Sequence, residues 1–185
     1  MFSKGEYYHI YNRGNNKEKL FYKSKNYQFF LNRYKKYLNE AIDTFAYCLL
    51  PNHFHFLIGI KKDLENSSSV SEKFRRLFIS YSQAINKQEN RTGSLFQKNF
   101  QKRKIRNQNQ LIWLVYYIHR NPIHHGFQNT MNYKWSSYNA LTSKSKTSLN
   151  RTEVLEWFNG EEAFLKFHQE NIETDHEVIQ SVTFE

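Results

Sequence analysis

Apolar and polar positions recur along this chain with two different periods, and the changes of period mark out its elements. Residues 7–13, Tyr-Tyr-His-Ile-Tyr-Asn-Arg, read as a first strand closed by Gly14. From Ser24 the apolar side chains fall at Tyr27, Phe30, Leu31, Tyr34 and Leu38, the spacing of one helical face. Residues 44–50 are a strand-like apolar run, Pro51-Asn52 is a turn, and residues 53–60 are a further strand. A second helix carries Val70, Phe74, Leu77, Phe78, Tyr81 and Ile85 on one stripe, and residues 95–105 form a basic, extended segment. A third helix bears Leu111, Leu114, Val115 and Ile118; Pro122 is expected to end it near Asn121, because a proline disfavours helical dihedrals in the residue before it.

The order β-α-β-β-α-β predicts an α+β fold with a ferredoxin-like split βαβ core. Such a core stacks two helices on one face of an antiparallel sheet and leaves the other face open, here with one more helix after it. Beyond Gly126 the pattern is less regular. Residues 142–150, rich in Ser, Thr and Lys, read as a loop, residues 152–168 as helix, and the end of the chain, with Glu173, Asp175, Glu177 and Glu185, as a polar tail that frays. The expected organisation is a core over residues 1–128 and a C-terminal helical extension over residues 129–185, packed on it or continuous with it.

Composition narrows the class. The chain has 13 Tyr, 16 Phe and 3 Trp but only 6 Gly and 2 Pro, which suits a folded domain rather than a low-complexity one. No apolar run approaches the roughly 18 residues of a membrane span, and the start lacks the apolar stretch of a signal peptide, so a cytoplasmic protein is expected. Cys48 is the one cysteine, which excludes a disulfide framework and a thiolate zinc site. Lys and Arg number 27 against 17 Asp and Glu, a net charge of +10. With many aromatic rings available for stacking, that surplus points to nucleic acid as the partner.

Two constellations carry candidate chemistry. In residues 53–60, Phe54, Phe56, Ile58 and Ile60 share one strand face and suit burial under helices, while His53 and His55 share the other. Two strand rises, about 6.7 Å, separate the histidines, close enough for converging imidazoles to grip one divalent ion. His-x-His alone is equally a pair of surface histidines on a half-exposed strand. The second constellation is Tyr116-Tyr117. At roughly 100° per residue, Tyr117 lies on the flank of the apolar stripe centred on Ile118, and Tyr116 faces outward on the opposite flank. Asn121 follows Tyr117 by four positions and stacks on its face. A phenol with a pKa of about 10 is a poor nucleophile unless a metal polarises the phosphate it attacks. The amide oxygen of Asn121 could complete that metal's coordination.

Five blocks in order resemble the single-tyrosine HUH transposases, most closely the REP-associated tyrosine transposases. They are Tyr8-His9-Ile10-Tyr11-Asn12-Arg13-Gly14, Leu50-Pro51-Asn52-His53-Phe54-His55-Phe56-Leu57, Ser94-Leu95-Phe96-Gln97, Tyr117-Ile118-His119-Arg120-Asn121-Pro122-Ile123 and Trp135-Ser136-Ser137-Tyr138. The resemblance implies a DNA strand-transferase in which Tyr117 attacks a phosphate, forms a 5′-phosphotyrosine link and frees a 3′-OH. It implies magnesium or manganese held by His53, His55 and Asn121, and single-stranded DNA beside imperfect hairpins as substrate. Arg13, Lys98, Lys102, Arg103, Lys104 and Arg120 are the expected DNA contacts. Monomer and homodimer are both compatible with these residues. The pair His124-His125 departs from many relatives, which carry a small or basic residue there. The rival readings are a replication initiator or relaxase, a non-catalytic nucleic-acid binder on a ferredoxin-like fold, and a domesticated relative that binds hairpins without strand transfer.

Overall fold

A computed structural model describes residues 1–67, 69–170 and 180–181. Among them the chain forms β1 (Tyr7–Arg13), α1 (Ser24–Leu38), β2 (Ile42–Leu50), β3 (His53–Ile60), α2 (Ser69–Gln88), β4 (Gln101–Lys104), α3 (Gln108–His124), α4 (Tyr138–Thr142), α5 (Arg151–Trp157) and α6 (Glu161–Gln169). The four strands make one antiparallel sheet in the order β2-β3-β1-β4. This is the α+β arrangement that the strand and helix periods predict.

Alternation along β3 decides what lies on each side. Phe54, Phe56, Ile58 and Ile60 enter a core shared with Phe30, Tyr34 and Leu38 of α1 and with Phe74, Leu77 and Tyr81 of α2. The rings interlock there: Phe56 stacks on Tyr34 with centroids 4.3 Å apart, and Phe54 on Phe78 at 5.7 Å. The helix starts are fixed locally. Asn26 Oδ1 accepts the N–H groups of Tyr22 and Lys23 ahead of α1, and Asn107 caps α3 by accepting the N–H of Gln110 at 2.9 Å.

The second face is not open, contrary to expectation. Leu111, Leu114, Val115 and Ile118 of α3 cover it, joined by Leu57 of β3 and by Ala46, Cys48 and Leu50 of β2. Tyr138, Val154, Trp157 and Phe164 of the C-terminal helices extend the same core. The cause is a second apolar stripe: the C-terminal segment supplies the hydrocarbon that a bare split βαβ sheet would leave exposed.

Three boundaries also differ. Pro122 lies inside α3, which runs on to His124. A proline there loses only one backbone bond, and Asn121 and Pro122 are both buried, so packing holds the last turn. The helix expected over residues 152–168 is broken into α5 and α6 where Asn159 and Gly160 take φ of 63° and 114°. The extended segment 95–105 pairs as a strand only over β4, although Phe96 makes an isolated bridge to Gly14. The polar tail with Glu173, Asp175, Glu177 and Glu185 lies outside the described residues. No helix of the described residues is long and apolar enough to cross a membrane.

Candidate active site

β1 and β3 run antiparallel with Tyr11 opposite His55 and Arg13 opposite His53, so these four side chains project from the same sheet face. They line a cleft of about 340 Å³ together with Asn12, Gln97 and Gln101. No carboxylate lines it among the described residues, so the cleft suits an anion.

His53 and His55 are buried, at 3% and 1% exposure. Each ring is oriented through Nδ1. His53 Nδ1 lies 2.7 Å from Asn52 Oδ1, an acceptor, so Nδ1 carries the proton and Nε2 keeps its lone pair. His55 Nδ1 lies 2.9 Å from His9 Nε2. Burial, first of all, and then the neighbouring His9, His53, His125 and Arg13 hold His55 well below its ordinary pKa. It is therefore neutral, the form that coordinates metal.

Tyr117 on α3 is half-buried and meets His55 and His9 edge-on. Its ring centroid is 5.5 Å from that of His55, at an interplanar angle of 90°, and 6.3 Å from that of His9. Asn121 is fully buried one turn later, and its Nδ2 donates to the Tyr117 carbonyl at 2.9 Å. That bond fixes the amide so that Oδ1 faces elsewhere. Asn121 Oδ1 and His55 Nε2 are both buried and have no hydrogen-bond partner among the described residues. A buried lone pair without a donor costs about 1–3 kcal/mol, and an imidazole nitrogen and an amide oxygen are both electron-pair donors that a cation accepts. No cluster of three His, Cys, Asp or Glu side chains that could hold an ion forms among the described residues. The donor set on offer is two imidazoles and one amide. None of the three carries charge in the form that coordinates, so an ion held by them would keep its full charge for a phosphate.

Tyr116 does not face outward. It is fully buried, with Phe167 and His168 of α6 at ring-centroid distances of 5.4 and 5.5 Å, and its hydroxyl accepts a bond from Arg120 Nη1 at 2.8 Å. The outward assignment assumed one buried face on α3; α6 supplies a second.

The expected DNA contacts scatter. Arg13 lines the cleft. Along β4, Arg103 pairs opposite His9 and so shares the histidine face, whereas Lys102 and Lys104 alternate to the other side. There Lys102 Nζ sits 4.5 Å from the Phe2 ring centroid and Lys104 pairs with Glu6 at 3.2 Å. Lys98 is exposed outside the cleft, and Arg120 lies over the Tyr116 ring. Sequence reasoning gave no role to His9 and Asn52, which orient the pair, and noted His125, whose ring is 4.7 Å from His53, only as a departure from relatives. The first two were legible, since His9 alternates onto the Tyr11 face of its strand and Asn52 adjoins His53.

The solved structure of a REP-associated tyrosine transposase bound to a REP hairpin shares this fold, with a TM-score of 0.63 over 77% of this chain and 82% of that one, at 20% identity. No family model matches the chain, and no curated protein matches it significantly.

Proposed function

We propose that this chain is a metal-dependent transposase that cuts and rejoins single-stranded DNA beside hairpins, with Tyr117 as the nucleophile. The observation that carries the reading is Tyr117 standing edge-on to His55, with His55 Nε2 and, one turn along the Tyr117 helix, Asn121 Oδ1 both buried without a hydrogen-bond partner among the described residues. The fold shared with a transposase solved on its hairpin supports DNA as the substrate.

His53, His55 and Asn121 would hold a magnesium or manganese ion, which supplies Lewis-acid polarisation of a bound phosphate. Arg13 adds a fixed positive charge to the same cleft. In the covalent step the Tyr117 phenolic oxygen bonds to phosphorus and the bond from phosphorus to the 3′ oxygen breaks. The phenol gives up its proton and the departing 3′ oxygen takes one up, so no net proton or electron is consumed. The products are a 5′-phosphotyrosine and a free 3′-OH, and the reverse attack by another 3′-OH completes strand transfer. His9 and Asn52 act as positioning residues through the Nδ1 atoms they engage.

The test is a denaturing gel of protein incubated with a labelled single-stranded hairpin and manganese. Wild type and Tyr116→Phe should give a slow, protease-sensitive DNA-linked band; Tyr117→Phe should give none while still binding the hairpin. A hairpin-binding protein without strand transfer would give no band with any variant. An adduct that survives Tyr117→Phe rejects the assignment.

A further inference from the structure

Beside the His53 end of the sheet lies a second concavity that the proposed reaction does not use. The Pro51-Asn52 turn is clasped from outside: the N–H groups of Leu20 and Phe21 donate to the Pro51 carbonyl at 2.7 and 3.0 Å, and the Gly14 N–H donates to the Asn52 carbonyl at 2.7 Å. The end of α3 reaches the same place. Gly126 takes a φ of 68°, its N–H donates to the Ile123 carbonyl at 3.0 Å, and the Phe127 N–H donates to the Pro122 carbonyl at 2.8 Å. This pair of bonds is a Schellman ending. Its usual accompaniment is an apolar residue folded back on the helix, yet Phe127 is 46% exposed.

Between these two features is a cavity of about 500 Å³ whose walls include Phe127, Tyr27 and Trp135. Tyr27 and Trp135 are stacked on each other, with centroids 4.7 Å apart and planes 10° from parallel. Lys19, Lys23 and Lys134 also line it, and no carboxylate does among the described residues. Lys134 Nζ stands 5.0 Å from the Trp135 ring centroid, while Lys23 shares its charge with Glu89 at 3.5 Å. Flat aromatic walls under a positive rim match a nucleobase carried on its phosphates: the ring faces stack and the ammonium groups neutralise. The location fits as well. Pro51, two residues before His53, lines the cavity, and so does Phe127, two residues after His125, whose ring abuts His53. A strand lying in the cleft has only to round the turn to enter it.

We propose that this cavity seats one unpaired base of the DNA strand, stacked on Phe127, with the three lysines contacting the adjoining phosphates. The proposal rests on the DNA reading above and adds a subsite to it.

The test is fluorescence anisotropy at fixed salt with two labelled oligonucleotides, a hairpin with short single-stranded flanks on both sides and the same hairpin without flanks. Phe127→Ala should weaken binding of the flanked oligonucleotide by roughly five- to a hundredfold, the range for losing one base stack, and leave the unflanked one within about twofold. Phe127→Trp should restore the flanked affinity. Abasic replacement along the flanks should find one position where wild type loses the same factor and Phe127→Ala loses nothing more. Equal loss on both oligonucleotides, or no loss on either, would overturn the subsite while leaving the strand-transfer reading intact. A wild-type protein that binds neither oligonucleotide would overturn both. Because Phe127 is exposed, the variant should melt within a few degrees of wild type, which separates lost stacking from lost folding.

Discussion

Toward α1 and α2 strand β3 presents Phe54, Phe56, Ile58 and Ile60; toward α3 it presents His53, His55 and Leu57, and all eight of its residues are buried. On the first side every buried group gains by leaving water, about 1.5–3 kcal/mol for a large apolar side chain. On the second side an imidazole gains little, and its nitrogens must find partners or remain a cost. His55 finds one through Nδ1 and keeps the cost at Nε2. One strand thus secures the fold with its even-numbered residues and holds two buried imidazoles, His53 and His55, with its odd-numbered ones. The hydrocarbon side supplies the stability that the histidine side consumes.

The largest test of this contrast sets neighbours against each other. Phe56→Ala should destabilise the protein by about 3–5 kcal/mol in a urea titration, because the cavity opens inside interlocked rings. His55→Ala should cost less, about 1–3 kcal/mol, mainly through the lost bond to His9, and should abolish the DNA adduct. If His55→Ala unfolds the chain as completely as Phe56→Ala does, the division of labour between the faces is wrong.

A second test uses acid, which should act on the histidine side alone. Behind α3 a hydrogen-bond chain runs from helix to sheet. His168 Nδ1 lies 2.9 Å from the Phe164 carbonyl, so it donates; His168 Nε2 must then accept from His119 Nδ1 at 2.9 Å, and His119 Nε2 from Ser137 Oγ at 2.8 Å. Burial above all lowers His168 to about 4 and holds His119 well below its usual value. A folded-state pKa below the unfolded value of about 6.5 means that the unfolded chain takes up the proton first. This contribution to stability is therefore complete above pH 6.5 and fades as the pH falls toward 4, by up to about 3 kcal/mol for His168. Urea midpoints at pH 7 and pH 5 should show the decline in wild type and a shallower one in His168→Leu. Equal slopes would remove His168 from the account.

The smallest effect is expected at Gly126. A Cβ there meets nothing within 4 Å, but φ is 68°, so Gly126→Ala should cost only about 1 kcal/mol of backbone strain. A thermal melt checks this. A much larger loss would mean that the α3 ending supports the histidine side more than its contacts show.

Most of the fold was legible because period-two and period-3.6 patterns report which side of an element is buried. His53, His55 and the α3 stripe follow from that alone. What local pattern could not show was cover arriving from far along the chain. Tyr116 reads as solvent-facing until α6, some 50 residues later, packs on it, and Pro122 reads as a helix end until burial of Asn121 and Pro122 holds the last turn. The basic run 98–104 reads as one patch, yet strand alternation splits Arg103 from Lys102 and Lys104. His119 looked like part of the site block, but its two bonds, to His168 and Ser137, face away from the cleft.

The placement of α6 has a consequence for synthesis. A ribosome releases the chain from its N-terminus, and the sheet with α1 and α2 is complete before residue 110 has emerged. The helix bearing Tyr117 comes next, but the rings that cover its back, Phe164, Phe167 and His168, emerge only some 50 residues after Tyr117. For the interval between, the nascent protein carries a finished histidine strand and an unfinished partner for it. Tyr117 gains the cover that fixes its helix only after α6 has emerged, so a chain halted before that point would hold the histidine strand without a settled partner.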